Sequence, residues 1–401
     1  MLSDNQLPSW TAIKLDPLIV PFGGATAVDG RDFFRLYKAT KEIGTYNMSP
    51  MISFHLNQFL ASWKCAPQDE DQAGQRILYS QSLDGSSWTP TDGKNELFPN
   101  VSTSAHPAAL FAEPTIFING KVYAAASPKQ FCLYPDQYFS LLLLREVILP
   151  GLGKFGPIFW ASDAVPSGFE EASKLNNISI LSQMDSETQA NIRSLNNNSF
   201  VPCSAASAGS PKCEFCLNGC QSWEDTKNIT GIENERTHYV VPGSSPQTDV
   251  LLYRSRLHKD SANHLYASVR TSVSGAWTIP APTNISDDVA NINAGVLPDG
   301  RIYLLNNAMI NAFRDPLFVT TSDDGWHFSH TNVAVSCEEH VFQAKDQPWG
   351  CLYRYKGGAK EGGVQYPQGL PVSAEGSKGF YAIFSLNKED IWIVKMPLGN
   401  F

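Results

Sequence analysis

The 401-residue sequence lacks any apolar run that approaches the roughly 18 residues of a membrane-spanning helix. Its longest leucine run, Leu141–Leu144, is only long enough for the core of a short strand. Basic residues are also few, because 30 Lys and Arg stand against 39 Asp and Glu, for a net charge of -9. This charge argues against nucleic acid as a partner. We therefore expect a protein that neither crosses a membrane nor binds nucleic acid.

Charged residues make up only 17% of the chain and hydrophobic residues 42%, which is typical of a compact globular protein. The first residues, MLSDN, have neither the basic nor the apolar region of a secretion signal. An even number of cysteines, eight, and six N-x-S/T sequons nevertheless favour secretion. The sequons begin at Asn47, Asn100, Asn177, Asn197, Asn228 and Asn284. We expect a secreted, glycosylated monomer whose signal peptide has been replaced by an initiator Met.

Residues 291–328 contain three strand-like runs, Asn293–Leu297, Arg301–Leu305 and Leu317–Thr321. An Asp-Gly turn joins the first two, and Asp-Gly between apolar runs predicts a hairpin because the turn needs positive φ. The third run ends in SDDGWHF, at Ser322–Phe328. That string is typical of an Asp-box, a turn closed by its own Ser and Asp side chains with the aromatic residue buried between sheets. The stretch therefore predicts one four-stranded blade of a β-propeller.

The same unit recurs at roughly fifty-residue spacing, and a fixed repeat is the signature of such arrays. A second Asp-box lies at Ser82–Trp88 and a degenerate third at Ser272–Trp277. The third follows the strand-like runs Thr237–Val241, Val250–Tyr253 and Leu265–Val269. Another hairpin joins Ile116–Ile118 to Val122–Ala126. We predict an all-β propeller in which residues 1–401 form a single domain, rather than unrelated hairpins in a sandwich. Either Leu15–Val20 or Phe33–Tyr37 is expected to complete the last blade and remove its exposed edge.

Residues 164–235 do not follow the blade pattern and are predicted to be an insertion over one face. Ser186-Glu187-Thr188-Gln189 is a capping box that predicts a short helix. The insertion also holds the clustered Cys203, Cys213, Cys216 and Cys220. This cluster could bind a structural zinc ion or form two disulfides, and the sequence leaves both open. The other four cysteines, Cys65, Cys132, Cys337 and Cys351, are expected to form disulfides.

Strand direction assigns polar residues to one of two faces of a propeller. The first strand of each blade begins, the second ends and the third begins on one rim, where propellers usually bind ligands. The opposite rim carries the turn after the first strand and the Asp-box, and we expect His55 there. The candidates that we assign to the ligand-binding rim are His106, Arg236, His238, Tyr239, Arg254, Arg256, Asn306, Arg314, Gln365 and Tyr366. Because arginines bind carboxylates in bidentate fashion, this set predicts an anionic ligand.

Six segments together resemble a known family. They are RTHY at 236, LYR at 252, AGVLPDGRIY at 294, RDPL at 314, QYPQ at 365 and NKEDI at 387. Over nearly the whole chain they resemble polysaccharide lyase family 42, formerly glycoside hydrolase family 145, which includes fungal L-rhamnose-α-1,4-D-glucuronate lyases and is related to the family 24 ulvan lyases. The resemblance implies seven blades. It also implies as partner the uronate-containing side chain of a plant polysaccharide such as gum arabic, and no cofactor for the chemistry.

The resemblance alone does not decide the reaction, since both rhamnosidase and lyase activities have been assigned within the family. A hydrolase needs two carboxylates beside the anomeric carbon, and the candidates are Glu113, Glu235 and Asp315. A lyase needs a cation for the uronate carboxylate, a base for its C5 proton and an acid for the leaving oxygen. The Arg, His and Tyr inventory fits a lyase better. A sialidase would share the Asp-boxes and arginines, but the sequence has no Phe-Arg-Ile-Pro start. A lectin-like binding propeller is a further alternative.

We therefore predict β-elimination at a terminal rhamnosyl-glucuronate, which releases L-rhamnose and leaves a 4,5-unsaturated glucuronate. Arg254 and Arg314, assisted by Asn306, are expected to bind the carboxylate. His238 or His106 is expected to be the base and Tyr366 the acid. The residues expected to contact the sugar are Arg236, Tyr239, Arg256 and Gln365.

Overall fold

The structure is a computed structural model, and it describes residues 9–12, 15, 22–70, 72–104, 108–128, 142–197, 232–255, 264–272, 277–288, 290–309, 314–343 and 350–401. These residues form five sheets of four or five strands, together with a two-stranded pairing. No helix among them is long and apolar enough to span a bilayer. The all-β propeller predicted from the sequence is confirmed, and five of its blades lie within the described residues.

The strands are numbered in chain order. Three short strands come first, β1 (Thr11–Ala12), β2 (Thr26–Ala27) and β3 (Asp32–Tyr37). The first blade is β4 (Tyr46–His55), β5 (Gln58–Ala66), β6 (Arg76–Ser82) and β7 (Glu96–Phe98). The second is β8 (Leu110–Ile118), β9 (Lys121–Pro128), β10 (Leu143–Val147), β11 (Phe155–Trp160) and β12 (Ser179–Ile180).

Two helices follow, α1 (Glu170–Leu175) and α2 (Ser186–Asn197). The next blade is β13 (Ile232–Val240), β14 (Asp249–Ser255), β15 (His264–Arg270) and β16 (Ala281–Ser286). It is followed by β17 (Asn293–Val296), β18 (Ile302–Asn306), β19 (Leu317–Ser322), β20 (His327–Phe328) and β21 (His330–Val335). The last strands are β22 (Val364–Val372), β23 (Gly379–Leu386) and β24 (Asp390–Met396).

The N-terminal strand β3 completes the last blade. It pairs antiparallel with β24, and Phe34 lies opposite Ile393. The prediction that Phe33–Tyr37 fills this place is confirmed, and the other candidate, Leu15–Val20, falls outside the described residues apart from Leu15. A strand from the start of the chain therefore covers the edge of the last blade, as closure of a propeller requires.

The first strand of each blade is the inner one, and neighbouring inner strands pack on one another. β4 contacts β8 on one side and β22 on the other, and β17 lies between β22 and β13. Four of these strands are bulged, namely β4 after Met48, β8 after Glu113, β13 after Ile232 and β22 after Gln365. The bulges of β4, β8 and β22 each contain a proline, which is tolerated there because it has no N–H to donate to the ladder. The bulges change the direction of the side chains at one rim of the molecule.

The Asp-boxes join neighbouring blades. In the box after β19, the Ser322 hydroxyl accepts the Gly325 amide and donates to Asp324. The backbone carbonyl of Gly325 accepts a 2.7 Å hydrogen bond from the hydroxyl of Tyr239 on the preceding blade. The Asp-box after β6 has Gly85 at φ +75, pressed against the ring of Tyr381 from the last blade. A glycine therefore stands where a tyrosine of the neighbouring blade approaches the turn.

The predicted helix is present as α2, although Asp185 caps it, because the Asp185 carboxylate accepts the backbone N–H of Thr188. Of the expected disulfides, Cys337–Cys351 is present. The prediction that Cys65 forms a disulfide is wrong, because Cys65 is a free and buried thiol in β5. Cys132 and the four clustered cysteines lie outside the described residues, together with the rest of the predicted insertion up to residue 231.

We predict that Gly85→Ala destabilises the fold much more than Gly300→Ala does. Both glycines have positive φ, but a Cβ at Gly300 meets nothing within 4 Å, whereas one at Gly85 would overlap the hydroxyl oxygen of Tyr381. Positive φ costs an alanine about 1–2 kcal/mol at either site, and overpacking adds about 1–3 kcal/mol at Gly85. Urea unfolding measures both losses, and equal losses would contradict this packing between blades.

Candidate functional site

Two rims are distinguished by strand direction, as the sequence predicted. The first rim carries the starts of the inner strands, the ends of the second strands and the connections between blades. The turn rim carries the turns after the inner strands and the Asp-boxes. Five predicted site residues lie at the first rim, namely Arg254, Asn306, Arg314, Gln365 and Tyr366. His55 ends β4 at the turn rim, as expected.

Arg314 is held by groups from the last blade. Its Nη1 atom donates to Gln365 Oε1 at 2.7 Å and lies 3.0 Å from Glu361 Oε2. The same Glu361 oxygen lies 3.4 Å from Lys388 Nζ, so one carboxylate bridges two cations. The side chains of Arg314 and Lys388 are 12% and 5% exposed, whereas that of Glu361 is 51% exposed. Two largely buried cations therefore converge on an accessible carboxylate.

A second group of charges lies around Tyr46 on the first blade. Lys64 is fully buried, 3.1 Å from Glu70, and its ammonium lies 5.8 Å from the centre of the Tyr46 ring. Lys388 lies on the same ring at 6.0 Å. Burial would raise the pKa of Glu70, but Lys64 and Lys388 hold that pKa below its ordinary value. Burial lowers the pKa of Lys388, while Glu70 and Glu361 oppose the change.

Tyr366 packs beside Tyr46 and Met48. It follows the Gln365 end of the bulge in β22 and has a left-handed φ of 53°, a conformation that is costly for a residue with a side chain. Arg314 is also left-handed, at 48°. Sparsely populated backbone conformations of this kind are concentrated at functional sites in proteins.

Asp287 is buried within the electrostatic influence of two arginines from adjacent blades, Arg254 and Arg314. Its Oδ2 atom accepts the Ala290 amide, and Oδ1 has no hydrogen-bond partner among the described residues. Burial raises the pKa of Asp287 to about 7, although Arg254 and Arg314 pull that pKa down. A carboxyl group with one unpartnered buried oxygen is more stable in its neutral form, because an ionised one would lack compensation for its lost hydration.

Asn306 and Asp315 have structural contacts in this site. The Asn306 amide donates to the Ser286 carbonyl at 2.8 Å, and the residue is buried. Asp315 Oδ1 accepts the backbone N–H of Cys337, and burial raises the pKa of Asp315 to about 7. The hydrolase candidate Glu113 is buried and accepts the Ser127 hydroxyl. Each of these side chains is already engaged by the fold.

The structure contradicts the predicted position of His238. Strand β13 begins at Ile232, so His238 lies two residues before its end, beside the turn rim. There its Nε2 is 3.1 Å from Asp249 Oδ1, and the other Asp249 oxygen accepts Arg270 Nε at 2.7 Å in a fully buried pair. A base for chemistry at the first rim cannot come from this position.

Tyr239 is also not where a substrate contact was predicted. It is 2% exposed, and its hydroxyl accepts Trp10 Nε1 while donating to the Gly325 carbonyl. The Tyr239 side chain therefore makes structural contacts between neighbouring blades. The predicted His106 and Arg256 lie outside the described residues, and only the backbone of Arg236, within β13, is described.

Sequence reasoning missed Glu70, Asp287, Glu361 and Lys388. All four lie in connections that strand direction assigns to the first rim, either between second and third strands or between blades. A search of those connections for charged residues would have found them. Lys64 was harder to find, because it lies inside β5 in a run that is buried throughout.

Comparison with known proteins supports the fold. Residues 196–374, fewer than half of the chain, match the model of the BNR repeat-like domain family. No curated protein sequence matches the chain. Among solved structures, a sialidase superimposes with a TM-score of 0.65 at 20% identity, covering 94% of this chain and 34% of that one.

A Trypanosoma rangeli sialidase mutant with trans-sialidase activity gives a TM-score of 0.51 at 10% identity, covering 93% of this chain and 60% of that one. The same organism's sialidase with difluorosialic acid also gives 0.51, at 11% identity, covering 92% of this chain and 60% of that one. The chain thus spans about a third of the first structure and 60% of the other two. At these identities the similarity establishes a sialidase-like propeller fold.

We predict that thermal stability falls as the pH rises from about 5 to about 8. The pKa values of Asp287 and Asp315 are raised from 3.8 to about 7, so the folded chain keeps two protons that the unfolded chain releases. The stability that they contribute is fully present below the unfolded pKa and is lost as the pH rises through about 7.

Differential scanning calorimetry of Asp287→Asn should give a flatter dependence of the melting temperature on pH. Asp299→Asn is the matched control, because the pKa of Asp299 is lowered, chiefly by its hydrogen bond to Arg301. The stability that Asp299 contributes through its lowered pKa is lost only below the ordinary pKa of an aspartate, which lies outside the pH range that is scanned. A wild-type melting temperature that rises over the window would contradict the buried, protonated carboxyl groups.

Proposed function

We propose that this chain is a glycan-active enzyme that eliminates L-rhamnose from a terminal L-rhamnose-α-1,4-D-glucuronate and leaves a 4,5-unsaturated glucuronate. The observation that carries the proposal is the convergence of Arg314 Nη1 and Lys388 Nζ on one carboxylate oxygen at the first rim. A uronate presents the same carboxylate chemistry. Charge-assisted hydrogen bonds to buried cations are about twice as strong as neutral ones, so this pair suits an acidic sugar.

Elimination needs the C5 proton of the uronate to become acidic. Arg314 and Lys388 would stabilise the negative charge that develops on the carboxylate when that proton leaves. The electron pair of the C5–H bond forms the C4–C5 double bond, and the C4–O bond breaks. The leaving oxygen carries the electron pair of the broken bond and takes a proton to become the hydroxyl of free rhamnose.

Tyr366 is proposed as the acid that supplies this proton, because its phenol lies at the same rim beside Tyr46 and Lys388 contacts the Tyr46 ring. With His238 at the turn rim, His106 is the histidine left as candidate base. Arg254, which influences the charge of Asp287, is proposed to assist in binding the uronate carboxylate.

Hydrolysis by an exo-α-L-rhamnosidase is the second candidate. Glu70 and Glu361 both carry carboxylates near Lys388, and a hydrolase needs two carboxylates flanking the bond that it cleaves. Lys64 and Lys388 hold the pKa of Glu70 below its ordinary value, which favours its ionised form and suits an acid poorly. We therefore favour elimination.

The products distinguish the candidates. Incubation with the rhamnosyl-glucuronate disaccharide should release rhamnose together with the ultraviolet absorbance of a conjugated, unsaturated uronate. Rhamnose without new absorbance would establish hydrolysis. Binding of the disaccharide without either product would indicate a lectin-like propeller.

We expect Tyr366→Phe to lower kcat by about 10²–10⁴-fold, the usual loss when a general acid is removed. Arg314→Ala should raise KM and lower kcat together, because the cation binds the ground-state carboxylate and binds the greater negative charge of the transition state more strongly. His55→Ala and His238→Ala, at the turn rim, are controls that should leave both constants unchanged. Loss of activity in His238→Ala with a normal Tyr366→Phe would place the chemistry at the turn rim instead.

A further inference from the structure

The most informative contact outside the proposed chemistry is that of Glu361 with two cations. Its Oε2 atom lies 3.0 Å from Arg314 Nη1 and 3.4 Å from Lys388 Nζ, and half of its side chain is exposed to solvent. The two cations are themselves almost covered. Any anion that reaches them from solvent must therefore come to the place where the Glu361 carboxylate stands.

The backbone around Glu361 is held independently of its carboxylate. Gln365 Nε2 donates to the Glu361 carbonyl at 2.8 Å and to the Gly362 carbonyl at 3.1 Å. On the other side, the Ala359 amide donates to Asp69, and Lys360 forms an ion pair with Glu389 at 3.3 Å. Removal of the Glu361 carboxylate from the cations therefore requires only rotation of its side chain.

Each cation keeps a second partner when Glu361 turns away. Arg314 Nη1 donates to Gln365 Oε1 at 2.7 Å, and Lys388 Nζ donates to the Ala359 carbonyl at 2.7 Å. Both head groups would thus stay in position for an incoming carboxylate. Because half of the Glu361 side chain is exposed, water can solvate its carboxylate once it turns away, which limits the cost of exchanging it for a ligand.

We infer that Glu361 is an internal competitor that occupies the carboxylate subsite until an acidic sugar displaces it. The inference rests on the proposed function and names a residue that sets the affinity of the same site for carboxylates. Glu361 lowers the affinity for every carboxylated ligand by the same factor. It also repels anions that fail to replace it on Arg314 and Lys388. It has no place in the proton transfers, so its removal changes binding and not the chemical step.

Glu361→Gln tests the inference, because it keeps the size of the side chain and removes its charge. We expect KM for the rhamnosyl-glucuronate disaccharide to fall by about two- to fivefold, the factor equivalent to a half-exposed ion pair, with kcat unchanged. Calorimetric binding of D-glucuronate should tighten by the same factor, and binding of L-rhamnose, which has no carboxylate, should not change. Glu375→Gln is the matched control, since Glu375 is exposed on the turn rim of the same blade and its loss changes the net charge equally.

A higher KM or a lower kcat in Glu361→Gln would overturn the inference, because the carboxylate would then assist binding or catalysis. Equal tightening in Glu375→Gln would overturn it too, since net charge alone would explain the effect. In both cases the wild-type enzyme still acts on the disaccharide, and the proposed function stands. If neither the wild type nor Glu361→Gln binds or converts any uronate, the proposed function and this inference fail together.

Discussion

Attachment of the last blade to the first is the constraint on which the candidate site depends. The antiparallel pairing of β3 with β24 places Tyr37 opposite Ile391, and the next strand, β4, contacts the strands of the last blade. The Asn47 amide then donates to the Lys388 carbonyl at 2.8 Å, and Ser385 donates to the Asn47 carbonyl at 2.6 Å. Tyr46 meets Lys388 across the same seam. Without the strand from the start of the chain, these groups, more than 300 residues apart, have no reason to meet.

The charges at the first rim follow from burial. Lys64 and Lys388 are almost inaccessible, and burying a cation is costly unless neighbouring groups compensate its charge. Glu70 and Glu361 supply the pairing, but they differ in access, with side chains 26% and 51% exposed. The more accessible carboxylate is the one that a ligand can replace. Asp287 is buried near Arg254 and Arg314, and by keeping its proton it avoids the free-energy cost of burying an ionised carboxylate.

Strand direction could be read from the sequence, and it was enough to bring Arg254, Arg314 and Tyr366 to one rim. It failed for His238 because the predicted inner strand began at Thr237, whereas β13 begins at Ile232 and contains a bulge before Arg236. When the predicted start of a strand is wrong by five residues, a side chain moves by nearly the length of the blade. An error in a strand boundary can therefore assign a residue to the wrong rim. Lys64 could not be predicted, because no local pattern distinguishes a lysine buried by its neighbours from one at the surface.

Disulfides were expected at Cys337 and Cys351 without any assigned connectivity, and these two cysteines pair with each other, whereas the free thiol of Cys65 was not expected. Cys65 lies in a buried strand whose neighbours determine its environment, and burial raises its pKa to about 12. The residues that surround Cys65 depend on which blades are neighbours, which is a property of the closed fold and not of any short segment of the sequence. The same holds for the tyrosines that meet the Asp-box glycines.

Binding of an acidic sugar at the first rim, through Arg314 and Lys388, is the central claim. A crystal structure of the Tyr366→Phe variant with the rhamnosyl-glucuronate disaccharide tests it most directly. We expect the uronate carboxylate to lie about 3 Å from Arg314 Nη1 and Lys388 Nζ, the distance of a charge-assisted hydrogen bond, with the Glu361 side chain turned away. A disaccharide bound at the turn rim, or one whose carboxylate contacts neither cation, would contradict it.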